Sequence, residues 1–506
     1  MLRKALFLMM LLVLALVPSM AQDAPSGSLV VALPNDPTSL FPPNGADITA
    51  GNAARPLYNS LVRLNAEGNL EPELALSWEI SEDGREYTFT LREGVTFHNG
   101  EPFNAESVVT TWEYSSQDGV AYAQDFAKVI SVEVIDEFTV RMATVEPDPI
   151  FLTQLATGWA MLPTAYMDEV GIEGFEAAPV GTGAFRFVER IPGDRIVYEA
   201  NPDYWEEGKP GVQSLTFRII PDSTTRLAAI QTGEVDIVNR LSIEDVSVLE
   251  GSSDVEIINY ANDRVYYVAF KNIGNGVGTP LEDVRVRQAL NYAVNREGII
   301  NGLFGGEAAL VTGFVLPSNL GYDDSLEPYP YDPDRARELL AEAGYAEGFE
   351  ISMGCPTDAY LNINEVCLAI QRDLGQVGID LSVEFKTSNS FWSQAGYGAV
   401  GPMYVDSWST DLGEAINRLQ GALIPGNYYT GWEDEGLVEL ITRIETTVDR
   451  DARAEVYKEL QQEMYNNPPF IYLYQPFNFE AVRSRVEGYM PRSNEGYDLT
   501  TVTVTE

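Results

Sequence analysis

Near the end of the chain the hydrophobic period changes within a few residues. Val456, Leu460 and Met464 recur at the spacing of one helix face, so a helix is expected over about Ala452 to Tyr465. Pro468-Pro469 cannot continue it, and Phe470 to Tyr474 follows as an unbroken apolar run, a buried strand. A stripe-faced helix that feeds a fully apolar strand needs a sheet with helices packed on it, which is α/β architecture. The same grammar appears earlier. Asp332 is a good N-cap before Pro333 at the first helical position, Leu339, Leu340 and Ala343 supply a stripe, and Gly344 closes the helix. Ser28 to Leu33 reads as a strand. Tyr87, Phe89 and Leu91 alternate with Thr88, Thr90 and Arg92 behind an Asp83-Gly84 turn, which predicts a half-buried hairpin strand. Phe187 to Glu189 and Ile196 to Tyr198 flank Pro192-Gly193-Asp194, a second hairpin.

The chain has 506 residues, enough for about three domains. Asp and Glu number 76 against 32 Lys and Arg, a net charge of -44. That balance disfavours nucleic acid, whose phosphates need clustered basic side chains, and an anionic membrane surface for the same reason. Its plain consequence is solubility and self-repulsion. With 45% hydrophobic residues the chain is too apolar for a disordered acidic tail. Arg3 and Lys4, the apolar run Ala5 to Val17, and Ser19-Met20-Ala21 read as a signal peptide over 1–21, so export is expected. The run is too short for a membrane span, no cysteine near the cleavage point offers a lipid attachment, and no later segment is apolar enough to cross a bilayer.

Enzyme motifs are absent or fail on context. The single histidine, His98, removes metal sites built from several histidines, and no metal site or cofactor is expected. There is no Gly-x-Ser-x-Gly elbow, and Gly208-Lys209 runs into Pro210, so there is no phosphate-binding loop. Gly396, Gly398 and Gly401 form a nominal dinucleotide fingerprint, but Pro402 and the strand-like Met403-Tyr404-Val405 stand where a helix must begin. His98, between Phe97 and Asn99, is read as a hydrogen-bonding residue of a turn. No catalytic residue is assigned; a secreted hydrolase with a carboxylate pair stays open as the alternative of a different class.

Leu74-Ala75-Leu76-Ser77-Trp78-Glu79, Asp83-Gly84, Tyr87-Thr88-Phe89, Leu91-Arg92, Gly94-Val95 and Phe97-His98-x-Gly100 together resemble the family 5 extracellular solute-binding proteins. These are the dipeptide, oligopeptide and nickel receptors of ATP-driven importers. The resemblance continues through Glu101-Pro102-Phe103, Gly181-Thr182-Gly183-Ala184-Phe185, Asn201-Pro202-x-Tyr204-Trp205, Val284 to Ala293 and Tyr331-Asp332-Pro333. It implies a two-lobed periplasmic binding protein (Venus-flytrap) fold with a small domain inserted in the first lobe. On that pattern lobe I comprises 22–65, 185–270 and 491–506, the inserted domain 66–184, and lobe II 271–490. The Gly-Thr-Gly at 181–183 is read as a crossing whose glycines supply unusual dihedrals. Function follows as an expectation: a monomeric, exported receptor, not an enzyme, that takes a peptide or peptide-like solute between its lobes and hands it to membrane permease subunits.

The resemblance also implies site residues. Trp408-Ser409-Thr410-Asp411 matches an element in which the aspartate pairs with a ligand amine; capping of the following helix is the other reading of Asp411. Cys355-Pro356-Thr357-Asp358-Ala359-Tyr360, ending at Cys367, is similar to a ligand-lining turn bracketed by a disulfide, which export favours. Many peptide binders carry arginine where this chain has Ala359, so a longer peptide, a peptide-like amine or an oligosaccharide fits better than a dipeptide. Tyr360, Trp392 and Tyr404 are the aromatic candidates for ligand contact, drawn from a set that includes Phe391, Tyr397, Tyr428 and Tyr429. An oligosaccharide receptor on the same fold is the second expectation.

Overall fold

A computed structural model describes residues 24–505, except 46–47, 66–67, 121–122, 127, 358, 392–399, 410–412 and 427–428. The expected signal peptide at 1–21 lies outside the described residues. Among those described, no helix is long and apolar enough to cross a membrane.

Three sheet regions carry the architecture. In the first, Ser28–Leu33 runs parallel to Ser214–Ile219 and to Ile237–Val238. Arg195–Ala200 adds antiparallel to Ser214–Ile219 and carries Phe185–Ile191 at the edge, the hairpin expected around Pro192-Gly193-Asp194. The second region is a four-stranded antiparallel sheet in the order Ala75–Ile80, Glu86–Leu91, Thr139–Thr144, Val129–Asp136. Tyr87, Phe89 and Leu91 point into its core while Thr88 and Thr90 face outward, as the alternation predicts. Its core takes in residues from Leu61 to Met161; the helix Thr164–Ala177 places Met167 and Phe175 in the neighbouring core instead.

The third region is mixed. Arg264–Phe270 lies between Met403–Ser409 and Phe470–Arg483, antiparallel to both. Phe349–Pro356 joins Met403–Ser409 and Ile379–Lys386 in parallel. Helices cover it as the caps dictate. Asp332 accepts a hydrogen bond from the Arg335 amide at 2.9 Å to start Pro333–Glu342, and Gly344 ends the turn at φ 93°. Asp449 caps Arg450–Asn466, whose Val456, Leu460 and Met464 are buried. The side chains of Val265 to Phe270 pack in this core.

The long strand Phe470–Arg483 ties the first and third regions together. Its first residues pair with Arg264–Phe270 and its later ones with Val255–Ala261 and Ile237–Val238. The two chain crossings lie side by side: the Asn262 amide donates to Pro476 O at 3.0 Å and the Gln475 amide nitrogen donates to Asn262 O at 2.8 Å. A third crossing joins them where the Asp263 amide donates to Ser493 O at 2.8 Å. Glu495 knits all three, accepting from Asn262, Asn478 and Arg240 at 2.8–3.1 Å.

Candidate functional site

Phe349–Pro356 and Met403–Ser409 run in the same direction, and Arg264–Phe270 runs against them, so one edge collects two strand carboxyl ends and one amino end. Open α/β sheets place ligands beyond strand carboxyl ends, because loops there bring side chains from several elements together. The three chain crossings begin at this same edge, immediately before Arg264.

An aromatic wall stands there, in which Tyr266, Phe304 and Tyr474 are buried and Tyr360 is partly exposed. Tyr360, in the loop after Phe349–Pro356, presents its ring edge to Tyr266 at 5.0 Å, and Tyr266 stacks on Tyr474 at 5.0 Å. Phe304 closes the row against Tyr474 at 4.9 Å. The Tyr360 hydroxyl donates to Asp406 Oδ1 at 3.0 Å, and the same oxygen accepts from the Ser407 amide at 2.8 Å. Burial holds the Tyr360 hydroxyl far above its ordinary range and the Asp406 charge adds to that, so it stays a neutral donor. Burial likewise pushes Tyr266 up to about 12. The disulfide Cys355–Cys367 ties the end of the strand to the helix Ile363–Gly375 and so anchors the loop carrying Ala359 and Tyr360.

Arg264 shares its face with Tyr266. Its guanidinium donates to Ser407 Oγ at 2.8 Å and Ser409 Oγ at 3.2 Å. The side chain is half-buried and makes no ion pair with any described residue. Among the described residues, nearby carboxylates are engaged elsewhere: Asp263 pairs with buried Arg418 at 2.6 Å, and Glu495 with Arg240.

The expected site residues divide. Tyr360, Ala359 and Ser409 stand at this edge. Trp408 is half-buried, its ring against Tyr429 at 5.3 Å and packed so closely on Gly421 that a side chain there would meet it at 2.2 Å. Tyr404 is a correction. It is 1% exposed, its hydroxyl donates to Tyr429 O at 3.0 Å, and Lys271 lies over its ring, so it belongs to the core. Asp411 and Trp392 lie outside the described residues, as do Asp358, Tyr397 and Tyr428. Arg264, Tyr266, Asp406 and Ser407 were not singled out from the sequence; the available signal was an arginine that opens a run otherwise free of charge, Arg264 to Phe270.

His98 belongs to a different place. Its Nδ1 accepts from the Gly181 amide at 3.2 Å, which leaves Nε2–H to donate to Gly183 O at 3.0 Å. Burial, the main cause, lowers its pKa to about 4, so the ring is neutral. The glycines it holds were expected to supply unusual dihedrals. They are instead required for space: a Cβ on Gly181 would sit 2.0 Å from Leu57 O, and one on Gly183 2.3 Å from the Leu57 carbonyl carbon. Among the described residues no group of three or more histidines, cysteines and carboxylates is arranged to hold a metal ion.

The family described as bacterial extracellular solute-binding proteins, family 5, matches residues 69–430. Heme-binding protein A of Haemophilus influenzae is 30% identical over 94% of this chain and 92% of its own length. The dipeptide-binding protein of Escherichia coli is 31% identical over 86% of each. Among solved structures, HbpA2 from Haemophilus parasuis superposes with a TM-score of 0.86 at 27% identity, covering 95% of this chain and all of that one. The periplasmic binding protein DppA of Helicobacter pylori, in complex with the peptide STSA, superposes with a TM-score of 0.75 at 25% identity over 95% of this chain and 98% of that one.

Proposed function

The chain belongs to the bacterial extracellular solute-binding proteins of family 5, and from that premise we propose that it is a receptor for a peptide or peptide-like solute. It holds the solute between its two halves and delivers it to the permease of an ATP-driven importer. The observation that carries this reading is the coincidence of the aromatic wall, Arg264 and the chain crossings at one sheet edge. Relatives named for dipeptide, glutathione and di/tripeptide binding support a peptide as cargo.

Lobe I then comprises the sheet around Ser28–Leu33, with the four-stranded sheet as its insertion. Lobe II comprises the sheet around Phe349–Pro356. Lobes joined through crossing strands close by rotation about those crossings, which removes water from the ligand. Asp411 follows Trp408 and Ser409 beyond the same strand and is assigned to the solute's amine, as a charge-assisted hydrogen bond in a closed cleft. No bond in the solute is broken, the receptor works as a monomer, and it acts outside the cytoplasm after removal of residues 1–21.

Mass spectrometry of the small molecules released from purified, denatured protein tests the proposal, together with calorimetric return of that solute to stripped protein. Stoichiometric rebinding of a peptide with no turnover is the expected result. Conversion of the solute to products, or retention of a molecule with no peptide character, contradicts it.

A further inference from the structure

We propose that Arg264 is the anion subsite of the receptor and that the transported solute bears a carboxylate which this guanidinium clamps. The inference rests on the receptor reading and adds to it the chemistry of one end of the ligand. In a chain with 76 acidic and 32 basic residues, a half-buried arginine without a carboxylate partner among the described residues is unexpected. Around it the protein supplies hydroxyls, Ser407 Oγ at 2.8 Å and Ser409 Oγ at 3.2 Å, which orient the planar fork without neutralising it.

Among the described residues, the nearby carboxylates are already committed. Asp406 accepts from Tyr360 and from the Ser407 amide, Asp263 pairs with Arg418, and Glu495 is held by Arg240, Asn262 and Asn478. The remaining N–H groups of Arg264 therefore suit an anion from outside the chain. A planar guanidinium matches a carboxylate with two parallel hydrogen bonds, a geometry that lysine cannot reproduce. Tyr360, partly exposed and backed by the buried Tyr266 two residues along the same strand, gives the neighbouring part of the solute an apolar surface.

The test compares dipeptide mixtures bearing a free carboxylate with the same mixtures as carboxamides, titrated calorimetrically into wild type, Arg264→Gln and Arg264→Lys. Wild type should prefer the acids by at least about 30-fold, the low end expected for a desolvated charged pair. Arg264→Gln should lose that preference while retaining binding at the carboxamide level. Arg264→Lys should fall between, and unliganded melting temperatures should match wild type. Equal affinity of wild type for acids and amides, or an unchanged preference in Arg264→Gln, overturns the anion subsite and leaves the receptor reading standing. If neither mixture binds, the solute is not a dipeptide, and the solute released from the purified protein decides: one with a carboxylate whose affinity drops in Arg264→Gln supports the subsite, and one without any carboxylate overturns it.

Discussion

At His98 the backbone selects one tautomer, with Gly181 donating to Nδ1 and Gly183 accepting from Nε2. A protonated ring would set two donors against one acceptor and one donor, and burial already holds the pKa near 4. A folded-state pKa below the unfolded 6.5 gives stability that is complete above 6.5 and lost as pH falls towards 4. Glutamine offers one acceptor and one donor without titrating, so His98→Gln and wild type should be similar near pH 7.5. Between pH 6.5 and 4 wild type should lose on the order of 2–3 kcal/mol relative to the variant. Urea unfolding at both pH values checks this, and parallel losses would contradict it. Asp411 makes a contrasting case. Asp411→Asn should weaken binding of an amine-bearing solute by about 2–5 kcal/mol, because a buried charge then lacks its partner. Its unliganded melting temperature should not change; equal affinities by calorimetry would remove Asp411 from the site.

Elements were more legible than their neighbours. The hairpin around Pro192-Gly193-Asp194, the cap at Asp332 and the helix-to-strand switch at Pro468-Pro469 rest on local chemistry, and each forms as expected. Partnership does not rest on local chemistry. Nothing between Phe349 and Pro356 states that this strand pairs in parallel with Met403–Ser409, or that Phe470–Arg483 serves two sheet regions. For that reason Arg264, placed by pairing, escaped notice, while Tyr404, chosen for its aromatic ring, proved to be core. The loop carrying Tyr360 combines both levels, since its ends are set by a strand, a helix and the bond between Cys355 and Cys367. Replacing both cysteines with serine should cost about 3 kcal/mol of stability, as expected for a closed loop of this size. Solute affinity should fall as well, because Tyr360 is then less well fixed. Thiol titration of denatured, unreduced wild type should find no free thiol. Unchanged stability in the double variant would show that the bond does not anchor this loop.

For the whole molecule, what matters is how few strands join the two halves. The crossings at Asn262, Gln475 and Ser493 are bound to one another by backbone and amide hydrogen bonds, and each half keeps its own hydrophobic core. Rotation at such a joint moves the two bodies about the crossings and changes the contacts they share elsewhere, such as Gly84 beside Val448. A ligand shifts this equilibrium only through contacts it gains in the closed state, and Arg264, Tyr266 and Tyr360 border the joint from one side. The most direct test is small-angle X-ray scattering of stripped protein, alone and saturated with the solute recovered from it. Closure about these crossings predicts a smaller radius of gyration in the saturated sample. An unchanged radius at proven saturation would contradict it.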